Sequence, residues 1–373
     1  MKVVIGGDFC PINRAEKILS DGKTVFSNEL QSYWNSFDFR IANLECPITD
    51  KENKILKSGP NLKSGSSILG GLQKLNISAF SLANNHIMDY DIAGLKDTCE
   101  NLDSVGVKWF GIDKESVSFP HTLLEKNGVS VAIFSYSIAE YCLSQDFEGN
   151  GARAIDLITI VEDIRKMRKN VDHLIILLHT GLYQLPLPTP RQREICHFLV
   201  RNGVSAVLCQ HSHICGAFEY VNNAFISYGQ GSFLFDLHKK NSHWNEGYLV
   251  KFDFTAEQMI VSLTGTIQFS EKTEIDIMDD LQQGKLDQKL LQYNKILIDK
   301  VALKEAFQKA AMVKKKSYYG LMTLPSGRLF SAFSRRFNIG KLFPAKMKRT
   351  LLNLYRNEEH NELIQEILKT DIK

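Results

Sequence analysis

Five short clusters of polar residues in this 373-residue chain combine side chains able to hold cations and to move protons. They are Asp8; Asn43 and Glu45 within Ala-Asn-Leu-Glu-Cys-Pro; Asn84, Asn85 and His86 within Ser-Leu-Ala-Asn-Asn-His; His179, with Thr180 and Gly181 behind it; and His211 with His213 in Gln-His-Ser-His. Carboxylate oxygen, amide oxygen and imidazole nitrogen are hard to borderline donors, suited to Mn²⁺, Fe or Zn²⁺ rather than to a soft thiolate site. A carboxylate can bridge two cations and reduce their repulsion. Two ions about 3.5–4 Å apart can activate a water and stabilise the departing oxygen of an in-line displacement. In His-x-His, alternate residues leaving a strand can aim both imidazoles to one side. Taken singly, each cluster has an ordinary reading, Asp8 as a turn residue and Asn84 or Asn85 as a helix N-cap. Their conjunction is the signal.

Each cluster stands at the end of a short apolar run. Runs rich in branched and aromatic residues occupy 3–6, 37–44, 79–83, 129–135, 173–178, 206–209 and 224–228. Most are nearly continuous, the pattern of strands buried on both faces. Helical periodicity lies between them, with Ile195, Phe198 and Leu199 on one stripe and Ile155, Ile158 and Ile164 on another. Strand and helix in alternation predict an α/β domain with a largely parallel sheet, whose strands deliver their carboxyl ends, and with them the clusters, to one edge. From about residue 225 the helices drop out, and 225–235 and 247–263 are predicted to add antiparallel strands. The chain divides into a layered α/β domain over 1–270 and a basic, mainly helical region over 271–373.

Composition is that of a globular protein, 44% hydrophobic, 23% charged and 10% aromatic, which excludes a disordered, collagen-like or repeat chain. The longest apolar runs fall far short of the roughly 20 residues that span a bilayer. Gly6, Gly7 and Asp8 end the first run before a signal-peptide core could form. The seven cysteines have no CxxC spacing, so free thiols are expected, in a chain that is cytoplasmic or peripheral at the membrane. Residues 281–373 carry 19 Lys and Arg against 8 Asp and Glu, whereas residues 1–280 carry 26 against 34. In that tail Met347, Leu351, Leu354 and Tyr355 share a helix face flanked by Lys346, Lys348, Arg349 and Arg356. Such a segment can lie on an anionic membrane surface; packing against the body uses the same stripe and is the preferred reading. Aromatics interleave with basic residues between 318 and 337 without a nucleic-acid motif, so no nucleic-acid partner is expected. Lys57 and Lys63 share a loop in which either could meet an anionic small-molecule or polymer substrate, the ordinary reading being solvated charge.

The order Gly-Asp, Asn-Leu-Glu, Asn-Asn-His, His-x-Gly and His-x-His resembles the calcineurin-like metallophosphoesterase superfamily. More narrowly it resembles the CapA branch of capsule and poly-γ-glutamate synthesis proteins. The narrower likeness rests on Ala42-Asn-Leu-Glu-Cys-Pro-Ile-Thr49, Ser81-Leu-Ala-Asn-Asn-His-Ile-Met-Asp-Tyr90, His179-Thr-Gly-Leu-Tyr183 and Gly231-Ser-Phe-Leu-Phe-Asp236, and covers about residues 1–265. It implies a metallophosphoesterase-like layered α/β fold and a metal-dependent hydrolase of a phosphoester or related bond, an amide linkage also being open. The biology implied is capsule or poly-γ-glutamate-type polymer synthesis, with polymer-synthesis proteins as partners. It further implies two divalent ions, Mn, Fe or Zn: Asp8 and His213 on one, Asn85, His179 and His211 on the other, and Glu45 bridging them. His86 would face the substrate as general acid or transition-state stabiliser. The chain departs from the superfamily's Asp-x-His in having Cys10, which enters as a candidate extra ligand against its ordinary reading as inert packing. Thr180, Leu182, Cys209 and Ser232 are further departures around the pocket. Lys63 is the candidate substrate contact. The alternative is a non-catalytic assembly subunit that keeps the fold and holds an anionic polymer in its cleft.

Overall fold

The computed structural model describes residues 1–237, 242–269, 273–322 and 344–372. Two sheets lie face to face, each covered outside by helices. The first runs Ile275–Ile277, Met259–Gln268, Glu246–Phe254, Lys2–Cys10, Phe39–Leu44, Ala79–Ser81, Lys108–Phe110, with Ser232–Phe235 joining the far half of Lys2–Cys10. The second runs Phe218–Val221, Ala224–Ser227, Ala206–Gln210, His173–His179, Val129–Ser137, His121–Lys126. Central pairs are parallel in both sheets, and antiparallel pairing is kept to the flanks.

Alternation along the strands explains the layers. Val3 and Ile5 face the space between the sheets, where Ile175 and Leu177 meet them, while Val4 turns outward to Leu19 and Trp34. Leu174, Ile176 and Leu178 turn outward from the second sheet onto Ile160, Ile164, Ile195 and Leu199. Burial on both faces is why these strands appear in the sequence as unbroken apolar runs. Ile158, expected on the stripe of the Leu157–Met167 helix, is instead 74% exposed, and Ile160 takes the inward position.

The expectation of antiparallel strands after residue 225 holds only in part. Glu246–Phe254 and Met259–Gln268 are antiparallel. Ala224–Ser227, however, pairs parallel with Ala206–Gln210, and Ser232–Phe235 pairs parallel with Lys2–Cys10. The chain does not turn back on itself here. It crosses from the second sheet to the first through Gly229, Gln230 and Gly231, and Gly231 adopts a φ of 73° that glycine takes without cost. Gly7 serves the same junction: a Cβ there would stand 2.3 Å from the Gly231 carbonyl oxygen. The two backbones touch where Asp8 must emerge.

Past residue 270 the chain remains part of this frame. Ile275–Ile277 extends the first sheet. The Asp280–Ile298 helix opens on a capping box of Asp279 and Gln282, then seats Leu286 and Leu290 at the inter-sheet core. The helices Lys300–Met322, Ala345–Arg356 and Glu358–Ile372 build a separate small core in which Phe307, Ala311, Leu354, Leu363 and Ile367 surround Leu182. Leu354 of the basic amphipathic helix is thus turned inward, whereas Tyr355 is exposed. The aromatics Phe330, Phe333 and Phe337 lie outside the described residues. Among the described residues, no helix is long and apolar enough to cross a membrane.

Candidate metal centre

The strand ends converge at one edge shared by both sheets. Asp8 leaves the Lys2–Cys10 strand fully buried, accepting from Asn43 Nδ2 at 2.8 Å and from the His211 backbone N–H at 3.0 Å. Glu45 follows the Phe39–Leu44 strand, its backbone N–H donating to the Phe9 carbonyl at 2.9 Å. His179 ends its strand, and His211 and His213 follow Ala206–Gln210. Both latter histidines hold positive φ, 96° and 57°, a sparsely populated region for residues with a Cβ. That strained turn aims two imidazoles into one space.

Two groups of donors result, and they share Glu45. In one, His179 Nε2 lies 3.1 Å from His211 Nδ1, 3.4 Å from Glu45 Oε1 and 3.0 Å from Asn85 Oδ1. In the other, His213 stands 3.3 Å from Asp8 Oδ2 through Nδ1 and 3.5 Å from Glu45 Oε1 through Nε2. Asp8, Glu45, Asn85, His179, His211 and His213 are therefore brought together.

Electrostatics describe the same place. Burial pushes the imidazoles of His179 and His211 down, to about 4 and about 3, leaving them neutral with lone pairs to offer. Burial would also lower His213, but the carboxylates of Glu45 and Asp8 outweigh it and raise this ring. Asp8 is raised by burial yet lowered further by its contacts with His213 and His179, which hold it below the usual carboxylate range. Burial and the charge of Asp8 drive Glu45 well above its usual value. Both Glu45 oxygens are buried without a hydrogen-bond partner. An orphaned carboxylate between two sets of imidazole and carboxylate donors is costly by itself and becomes favourable beside cations. The residues present fit divalent metal ions.

His86 lies next to this floor. Its Nδ1 is 2.7 Å from Asp89 Oδ2 and 3.2 Å from Lys57 Nζ, and Lys57 and Asp89 form a buried ion pair. Burial lowers the His86 pKa and Lys57 adds to this, while Asp89 opposes. A cavity of about 410 Å³ opens above, with Lys57, Asn85, His86, His211 and His213 on the floor and Tyr183 and Trp244 at one side. The Trp244 ring stands 4.6 Å from that of His213. Lys314, Asn353, Asn357 and His360 complete the lining, with the Lys314 ammonium donating to the Tyr183 carbonyl at 3.4 Å.

Two expected roles are corrected. Lys63 does not reach the cavity: its ammonium donates to the Lys51 carbonyl and to Glu52, each at 2.6 Å. Lys57, six residues earlier in the same loop, is the lysine drawn in, because Asp89 binds it. Cys10 is not among the donors. It packs with Ile12, Cys46, Leu62, Phe235 and Trp244, and burial and Cys46 raise its thiol well above the usual range. Glu140 was missed in the sequence although it obeys the strand-end rule, standing three residues past the Val129–Ser137 strand.

The model of the bacterial capsule synthesis protein family PGA_cap matches residues 2–237. The chain belongs to this family. Among curated relatives, the PGA biosynthesis protein CapA of Bacillus subtilis is 25% identical over 280 residues, covering 73% of this chain and 70% of the relative. The capsule biosynthesis protein CapA of Bacillus anthracis is 24% identical over 225 residues, covering 58% and 54%. Among solved structures, the chain is similar to a novel phosphatase from Mycoplasma pneumoniae, at 12% identity and a TM-score of 0.49 over 76% of this chain and 96% of that one. It is also similar to the calcineurin-like phosphoesterase YfkN from Bacillus subtilis, at 13% identity and a TM-score of 0.42 over 79% and 98%. The PGA_cap match spans all five polar clusters and ends before the helices that close the cavity.

Proposed function

We propose that this PGA_cap protein is a metal-dependent hydrolase of a phosphoester or related bond, acting in the synthesis of a capsule or poly-γ-glutamate-type polymer. The observation that carries the reading is Glu45: a buried carboxylate without a hydrogen bond, set between two donor groups. Asp8, Glu45 and His213 would hold one divalent ion, and Glu45, His179, His211 and Asn85 Oδ1 a second. Ions bound there supply Lewis acidity and an activated water near neutral pH. The chain's own residues do the rest. Asp89 takes His86 Nδ1, which orients the ring and leaves Nε2 for the cavity, the place of proton transfer to a leaving oxygen. An anionic substrate beside His86 favours its charged form, offsetting the burial that disfavours it. Lys314 lines the cavity with a cation that suits such a substrate, Lys57 being held on the floor in its ion pair with Asp89, and the aromatic side limits access of bulk water.

The test is metal content by elemental analysis after loading with Mn²⁺, Fe²⁺ or Zn²⁺, paired with a phosphoester screen. About two ions per chain, both lost in Glu45→Ala along with hydrolysis, is the expected result. No bound metal under any loading overturns the reading. Two ions without hydrolysis of any phosphoester would leave a binding subunit in place of an enzyme.

A further inference from the structure

Glu140 stands directly behind the second donor group. One of its oxygens, Oε2, accepts from Asn85 Nδ2 at 3.0 Å and lies 3.9 Å from His211 Nε2. An amide has one donor end and one acceptor end, so capture of Nδ2 leaves Asn85 Oδ1 facing His179 Nε2. Were the amide to turn over, an NH₂ group would face the ion instead. The other oxygen of Glu140, Oε1, is held from outside the PGA_cap match: Asn357 Nδ2 donates to it at 2.7 Å, and His360 Nε2 stands 3.4 Å away. These two residues are themselves fixed. Asn357 Oδ1 accepts from the backbone N–H groups of Glu359 and His360 at the start of the last helix, and His360 Nδ1 meets the Tyr318 hydroxyl at 2.6 Å.

We propose that Glu140 is a positioning residue of the metal centre, orienting Asn85 through their hydrogen bond, and that the last two helices hold it there through Asn357 and His360. The inference rests on the metal reading above and adds to it a dependence of one ion's site on the C-terminal helices. Groups behind the ligands that fix ligand orientation typically alter metal affinity by about 10–100-fold when removed.

The experiment is Mn²⁺ titration of the full chain, followed by electron paramagnetic resonance, on wild type, Glu140→Ala, Glu140→Gln, Asn357→Ala and His360→Ala. Melting curves in chelator accompany it. Glu140→Ala should weaken one of the two ions by about 10–100-fold and leave the other in place, with loss of the signal from the coupled pair. Asn357→Ala and His360→Ala should move the same ion in the same direction, by less. Glu140→Gln, able to accept on one side only, should fall between and carries the test if Glu140→Ala does not fold. Wild-type affinity for both ions in every variant overturns the inference. So does an equal loss of both ions that follows a lowered melting temperature, which is the mark of a merely structural role. A wild type that binds no Mn²⁺ overturns the functional reading itself, and this inference falls with it.

Discussion

The floor of the cavity and its helical wall are built in different ways. The floor is made of strand ends: Asp8, Glu45, His179, His211 and His213 leave central strands of two sheets and are all nearly buried. Asp8 and His179 sit in strands paired on both sides, and Glu45, His211 and His213 follow within three residues of such strands, so the floor is held close to the rigid sheets, as cation sites require. The wall is made of helices with one small core, Leu354, Leu363 and Ile367 packed on Phe307 and Leu182. Its side chains reach the cavity singly, as Lys314, Asn353, Asn357 and His360. Floor residues should therefore govern whether ions bind and chemistry occurs, while wall residues tune affinity and can undock as a unit.

Substitutions on either side test this division. Glu45→Ala, at the point the two donor groups share, should abolish binding of both ions and reduce turnover by about a thousandfold or more, a loss of several kcal/mol in transition-state stabilisation. Retention of both ions would remove the floor's special status. His86→Ala should lower kcat about 10²–10⁴-fold with metal content unchanged; parallel loss of metal would make His86 part of the ion sites instead. In the wall, Leu363→Ala should cost about 2–5 kcal/mol of stability, read by hydrogen exchange as faster opening of the last helices with the sheets still protected. Global unfolding without such local opening would show that the wall is not a separate unit.

A pH experiment addresses the same contact. Burial pushes the Glu359 carboxyl up from 4.5 to about 7, against the hydrogen bond it accepts from Thr180. A raised acid pKa means the folded state binds its proton more tightly than the unfolded one. Stability is therefore lost as pH rises from about 4.5 to about 7, by on the order of 3 kcal/mol. In chelator, Glu359→Gln should lose less stability than wild type as pH rises through that window and above pH 7 melt higher than wild type; coincident melting curves at all pH values would count against burial of the charge. The smallest effect belongs to Lys314→Ala, which should raise KM about tenfold with kcat retained, the mark of even binding of substrate and transition state. A fall in kcat at unchanged KM would move Lys314 from the wall to the chemistry.

Legibility follows the same line. The six side chains that meet at this edge could be picked out because each lies within four residues of the end of a strong apolar run, and parallel strands send such ends to one edge. Lys57 and Lys63 could not be told apart, since they share one loop and the choice depends on where Asp89 is buried. Glu140 stands at a strand end too, but a single Glu in Ile-Ala-Glu-Tyr carries no visible partner. Its partners Asn357 and His360 are 217 and 220 residues away in the sequence. Cys10 shows the converse, a residue at the right place in the chain whose side chain turns into an apolar cluster.

Local pattern in the chain was enough for most of the buried central strands and for the chemical types at their ends, because periodicity and short motifs are local properties. The assignment of Ala224–Ser227 and Ser232–Phe235 to different sheets, the sharing of Glu45 by both donor groups, and the packing of the helices Lys300–Met322, Ala345–Arg356 and Glu358–Ile372 around Leu182 came only with the folded molecule. Those outcomes depend on contacts between residues far apart in sequence, where burial and hydrogen-bond satisfaction of the whole molecule choose among partners that local pattern leaves equivalent.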